Sequence, residues 1–166
     1  MNVNASLDKW GFVYTPEIVL PSGELIIGLP VRNKIPSQGI GHLAGLILGT
    51  SALIGNWYIG LFEKNYVPSD ASVAADLPAI ECQAYTAAQR LLWEPSSSGG
   101  VIDNINDRSE FEINADKRIY GAFLVAAAAK GSGTGPLFSI ARFPTPYDVT
   151  AGSTMRLRVA TVLVSN

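Results

Sequence analysis

The chain of 166 residues is poor in the side chains from which most chemistry is built. It has one cysteine, Cys82, and one histidine, His42. A single thiol excludes an internal disulfide and any cysteine-based zinc cluster, and a single imidazole cannot form a multi-histidine metal site. Charge is scarce as well. Asp, Glu, Lys and Arg make up 16% of the chain, against about 25% in a typical soluble domain. With 12 Lys+Arg and 14 Asp+Glu the formal net charge is −2. That balance excludes a basic nucleic-acid binder and a charge-blocked disordered chain. Long hydrophobic runs are also missing. Ile40–Gly55 and Ile119–Ala129 both fall short of the roughly 18 uninterrupted apolar residues of a membrane span, and Gly41, His42, Gly45 and Gly49 break up the first. No membrane partner is expected. The opening MNVNASLDKW has neither the basic nor the apolar region of a signal peptide, so the Asn4-Ala5-Ser6 sequon is read as incidental.

What is present is apolar residues, 48% of the chain, enough for one domain with a real core. The low charge then has two explanations. Either much of the surface is buried against other subunits, or small polar residues cover it. Residues 1–36 read as an extended N-terminal arm. Pro16, Pro21, Pro30 and Pro36 are too closely spaced for a helix. Between them lie short apolar runs with no room for a core of their own, so the arm must lie on the rest of the chain or on a neighbouring subunit. Trp10, Phe12, Tyr14, Ile18 and Leu20 are its candidate subunit contacts.

Residues 37–166 read as an all-β, antiparallel sandwich domain. Ile40–Thr50 and Asn56–Glu63 are apolar runs joined by a turn at Ser51–Gly55, and Gly39–Trp57 contains no charged residue. Both Gly39–Trp57 and Ile119–Ala129 are expected to hold central strands. Arg108–Asn114 alternates, with Phe111 and Ile113 on one face and Glu110 and Glu112 on the other. Arg118–Ala126 is apolar on both faces, so it should be covered on both. Thr154–Val164 points Met155, Leu157, Val159 and Leu163 one way and Arg156 and Arg158 the other. Gly131–Pro136 reads as a loop between strands, and Tyr147–Gly152 as a turn entered through Pro144 and Pro146. Strands at this spacing, punctuated by Gly and Pro, argue for a sandwich or barrel. Ala79–Trp93 stays open: its composition favours a helix, whereas the β surroundings favour a strand with Tyr85 and Trp93 packed on a sheet.

No motif makes a case for catalysis. His42 has no partners for a triad, and Cys82 has no neighbouring base, so both read as structural. The GSGTG of Gly131–Gly135 lacks the Lys-Ser/Thr of a phosphate loop and reads as a hairpin tip. Asp103–Asp107 (DNIND) places Ile105 where a calcium loop needs an oxygen. Glu110 and Glu112 read as exposed strand residues rather than a glycosidase pair. Trp10, Trp57 and Trp93 read as core or interface anchors. No catalytic residue, no cofactor and no metal is therefore expected, and the protein is read as not an enzyme.

Four segments in order carry a family likeness: NWYIGLFEKNYVPS (Asn56–Ser69), ECQAYTAAQRLLW (Glu81–Trp93), FEINADKRIYGAFLV (Phe111–Val125) and VTAGSTMRLRVATVLVS (Val149–Ser165). Together they resemble small β-sandwich virion proteins of tailed bacteriophages, several of which look like jelly-roll capsid decoration (cement) proteins. The resemblance spans about two-thirds of the chain and does not include the Pro-rich arm. It implies a jelly-roll-like fold and a non-enzymatic structural role. It also implies a place on the outer surface of the capsid, the major capsid protein as partner, and self-association as a dimer or trimer. On this reading, removing Met1–Ile35 should weaken capsid binding and leave the body folded. The competing expectation is a phage tail or spike sandwich that binds host glycans through exposed aromatics and the Asp103–Asp107 loop.

Overall fold

Residues 11–162 are described by the computed structural model, with only the backbone of Val162. Alternation decides the first element. Phe12–Val19 forms strand β1, with Phe12, Tyr14, Pro16 and Ile18 buried and the residues between them half-buried. A period of two places one set of side chains on one face. β1 pairs along its whole length with the last strand, β12 (Thr154–Val162), from Phe12 opposite Thr161 to Val19 opposite Thr154. Two short strands, β2 (Leu25–Ile27) and β3 (Val31–Arg32), share its other side. The segment read as a separate arm therefore supplies an interior strand, and its buried residues belong to the same core as those that follow. The division at residue 36 separates no independent body.

Pro16 fits this position because of the gap between β2 and β3. A strand residue directs its N–H and C=O to the same neighbour. The Pro16 carbonyl accepts the Gly28 N–H at 2.8 Å, so its missing donor also faces that gap and the ladder to β12 loses nothing. Gly28 is required there, since a Cβ would fall 2.6 Å from the Pro16 ring.

Beyond β12 the sheet continues through β8 (Val101–Asp103) and β9 (Ser109–Glu112), which share one edge, to β7 (Ser96–Ser98). A second, five-stranded sheet runs β11 (Leu137–Val149), β10 (Lys117–Val125), β4 (Tyr58–Phe62), and then β5 (Glu81–Cys82) and β6 (Leu91–Leu92) side by side. All pairings are antiparallel. The sheets pack face to face around Phe12, Tyr14, Leu61, Phe111, Leu124 and Met155, which makes the molecule an all-β sandwich. No helix among the described residues is long and apolar enough to cross a membrane.

β9 and β12 follow their sequence patterns, with Leu163 outside the described residues, and β10 is covered on both faces as expected, although a bulge between Ile119 and Gly121 breaks its alternation. β10 directs Ile119, Ala122 and Leu124 into the core between the sheets. Phe123 and Val125 point to the opposite side, into a second cluster with Phe62, Leu77, Leu137 and Ile140. Part of the connection from β4 to β5 covers that cluster. It includes a 3-10 turn (Ala74–Asp76) and a one-turn helix, to be called α2 (Leu77–Ile80).

Three expectations are corrected. Ile40–Thr50 is not a strand: Ser37–Ile47 is helix α1, closed by Gly49 at φ 69°, the left-handed cap that glycine provides without strain. Low intrinsic helix propensity at Gly39 and Gly45 is overridden by close packing. Gly39 lies over β11, where a Cβ would come within 2.5 Å of the Phe138 carbonyl. The Gln38 side-chain oxygen accepts from the N–H groups of Ala74 and Leu137 and tethers the helix start. Second, Ala79–Trp93 is neither one helix nor one strand, because α2 gives way to β5, a bent stretch and β6. Third, Pro144 and Pro146 lie inside β11 rather than before a turn, and the chain turns only after Val149. β11 is an edge strand with a bulge, in which the register jumps from Arg142 opposite Gly121 to Tyr147 opposite Ile119. Edges and bulges are where a sheet tolerates proline.

Candidate interaction surface

The candidate contact residues of the N-terminal segment are mostly inside the molecule. Phe12 meets Trp93 and Phe138 edge-on, with ring centroids 5.8 and 5.2 Å apart. Tyr14 donates its hydroxyl to Ser139 Oγ at 2.8 Å, and burial pushes its pKa upward. Ile18 is buried, and Leu20 packs at the margin of the same core. Phe12, Tyr14 and Ile18 therefore cannot be subunit contacts, because the alternation of β1 turns them toward the other sheet. Trp10 lies outside the described residues.

The groups weighed for chemistry are engaged structurally. His42 sits on α1, not in a strand; its ring meets Trp57 edge-on at 5.6 Å, and Trp57 stacks on Phe138 at 4.7 Å. Cys82 is buried, which raises its thiol pKa to about 11. Asp103 pairs with Arg158, whose hydrogen bond holds the carboxyl below the usual range. Asn104 stitches the DNIND loop to β12, accepting from the Val159 N–H at 2.7 Å and donating to the Leu157 carbonyl at 3.1 Å. Glu110 forms an ion pair with Arg156 at 2.8 Å, and Glu112 accepts from the Thr86 hydroxyl at 2.8 Å. A shallow depression of about 360 Å³ beside Glu112 contains no second titratable side chain. No group of three His, Cys, Asp or Glu able to hold a metal occurs among the described residues.

The least expected polar feature is the fully buried pair Glu81–Arg90. Arg90 Nε and Nη2 donate to the two carboxylate oxygens at 2.8 and 2.7 Å. Arg90 also donates to the carbonyls of Ala127 and Ser132, while the Gly131 N–H donates to Glu81. A buried ion pair persists only when its remaining polar atoms are satisfied, and here the glycine-rich loop satisfies them. The loop is thus a ligand of the ion pair rather than of a phosphate. Sequence reasoning missed this pair. The available signal was two opposite charges, and no others, within Ala79–Trp93.

The large hydrophobic side chains left exposed are aliphatic. Leu25, Ile27 and Leu29 are exposed on and beside β2, Ile27 by 70%. Ile40, Ile47, Leu48 and Leu53 are exposed on α1 and the segment after it, at up to 88% for Ile47. Both groups flank β11. Gly28 approaches Tyr147 near the end of that strand, and Gly39 approaches Phe138 near its start. At about 3.3 Å per residue these points are roughly 25–30 Å apart along the strand. One edge of the sandwich thus carries two separated apolar patches. By contrast, the outward face of β1, β12 and β9 carries charges that neutralise one another: Glu17 with Arg108, Glu110 with Arg156, and Asp103 of β8 with Arg158.

No family model, curated protein or solved structure matches the chain.

Proposed function

We propose that this chain is a non-enzymatic virion structural protein of a tailed bacteriophage. In this reading it is a capsid decoration (cement) protein on the outer surface of the head, clamping neighbouring major capsid subunits and associating with itself. The observation that carries the reading is the pair of exposed aliphatic patches along one edge of the sandwich. A clamp that also associates with itself needs two separated points of contact on a rigid body, one for the capsid and one for a second copy. Apolar, uncharged patches desolvate at little cost when they dock, and repeated weak contacts on a lattice gain from high effective concentration. The chain path supports the finer, jelly-roll-like description. It crosses from one sheet to the other four times, and its first and last described strands pair inside one sheet. The glycan-binding reading draws less support, because Trp93 is buried, Trp57 is half-buried and Asn104 ties the Asp103–Asp107 loop to β12.

The test is the composition of purified virions. Copies approaching those of the major capsid protein are the expected result. A handful of copies per particle would place the protein in the tail and overturn the reading.

A further inference from the structure

Helix α1 carries no charged residue, and its inner and outer faces are both mainly apolar. Its inner face is Gly39, Gly45 and the half-buried His42, Leu43 and Leu46. Its outer face presents Ile40, Ala44, Ile47 and Leu48 to solvent. Their spacing of i, i+4, i+7 and i+8 makes one continuous stripe. An apolar stripe on a helix ordinarily faces a core, and among the described residues the outer stripe lacks a cover. Charge narrows the choice of cover. From Ile35 to Phe62 the chain contains no Asp, Glu, Lys or Arg. In a two-fold dimer a surface meets its own copy, and a charged patch would then oppose its own sign. This one opposes nothing. Ala44 and Gly41 leave the middle of the stripe low, which lets two helix axes approach to about 8 Å. Size agrees as well. Four large aliphatic side chains, half to nine-tenths exposed, form a patch on the order of a few hundred Å². Two such patches face to face bury several hundred Å², the size of a weak, transient interface.

We infer that α1 packs against α1 of a second copy of this chain about a two-fold axis, with Ile40, Ile47 and Leu48 as anchors and Leu53 extending the contact. This deepens the self-association named above and rests on that part of the reading alone. In sedimentation equilibrium the full chain should be a dimer at tens of micromolar. The double substitution Ile47→Glu/Leu48→Glu should raise the dissociation constant by about 100-fold or more while the circular dichroism spectrum stays unchanged, since both side chains are already solvent-facing. Ala44→Cys provides an independent readout. It should oxidise to a disulfide-linked dimer faster than Ser98→Cys on the distant β7, and the buried Cys82 should not compete. A wild-type chain that stays monomeric, a charged variant that stays dimeric, or cross-linking no faster at residue 44 than at 98 would overturn the proposal. So would a monomer that floats with phosphatidylcholine vesicles, which would make lipid the cover. These readouts are separable from the capsid reading: a dimer absent from virions sinks only the latter, and a virion-bound monomer sinks only the dimer.

Discussion

Strand β1 and helix α1 are both rich in apolar residues, yet the molecule treats them oppositely. β1 carries Phe12, Tyr14 and Ile18 at alternate positions and encloses all three. α1 carries more aliphatic residues per turn and leaves Ile40, Ile47 and Leu48 in solvent. Apolar content does not decide burial. Burial follows from whether the period of the pattern matches the element and whether a facing surface exists. β1 has one facing surface for its one apolar face, the opposite sheet. α1 has two apolar faces, and among the described residues only the inner one is met, by the start of β11 and by Trp57.

Four substitutions and one deletion would break or sharpen that contrast. The largest effect is expected from removing Met1–Ile35. β1's place beside β12 overturns the expectation that such a chain stays folded, and loss of cooperative thermal unfolding should show it. Phe12→Ala removes a buried ring packed on Trp93 and Phe138 and should cost about 3–5 kcal/mol in denaturant titration. Gly39→Ala drives a methyl into the Phe138 carbonyl, with the Leu137 carbonyl at 3.0 Å. Overpacking costs about 1–3 kcal/mol, partly offset by about 1 kcal/mol of helix propensity, so a modest net loss is expected. Asp103→Asn tests the outward face of the sheet that contains β1. The Arg158 hydrogen bond lowers the folded-state pKa of Asp103. Its stabilisation is therefore present above the unfolded value of about 3.9 and lost as pH falls through the lower folded value. The wild-type advantage over Asp103→Asn should be about 1 kcal/mol near neutrality and shrink in acid. The smallest effect belongs to Ile47→Ser, within about 0.5 kcal/mol when measured on dilute monomer. A large loss there would mean that the stripe is already covered within one chain.

How far each element could be read follows from whether local and long-range preferences agree. In β9 and β12 the alternation and the neighbouring strands point the same way, and the pattern is legible; in β10 burial on both faces is legible, but the bulge that moves Ile119 to the side of Ala122 and Leu124 is not. In β1 the prolines suggest a detached segment, because the strand that holds it, β12, lies about 140 residues away and the gap opposite Pro16 appears only once β2 and β3 have paired. In α1 the glycines suggest a strand or loop, because the value of Gly39 lies in contact with β11 carbonyls about a hundred residues away and that of Gly45 in the approach of Ser51. Between Ala79 and Trp93 the helical composition is real but local, and the buried Glu81–Arg90 pair that organises the region draws its remaining partners from Ala127 to Ser132. The exposed patches were not foreseen as patches. Leu25–Leu29 was read as part of an arm, and Ile40–Leu48 as a central strand.

The pairing of β1 with β12 also sets a clock on biosynthesis. The two strands lie side by side in the finished sheet, but the ribosome makes them at opposite ends of the job. At about 5–20 residues per second, Phe12–Val19 waits on the order of ten seconds before Thr154–Val162 exists to receive it. During that interval the backbone edge of β1 that pairs with β12 has no permanent partner. A chain halted before residue 154 can never provide one, so an incomplete copy exposes its own defect to the quality-control machinery of the cell.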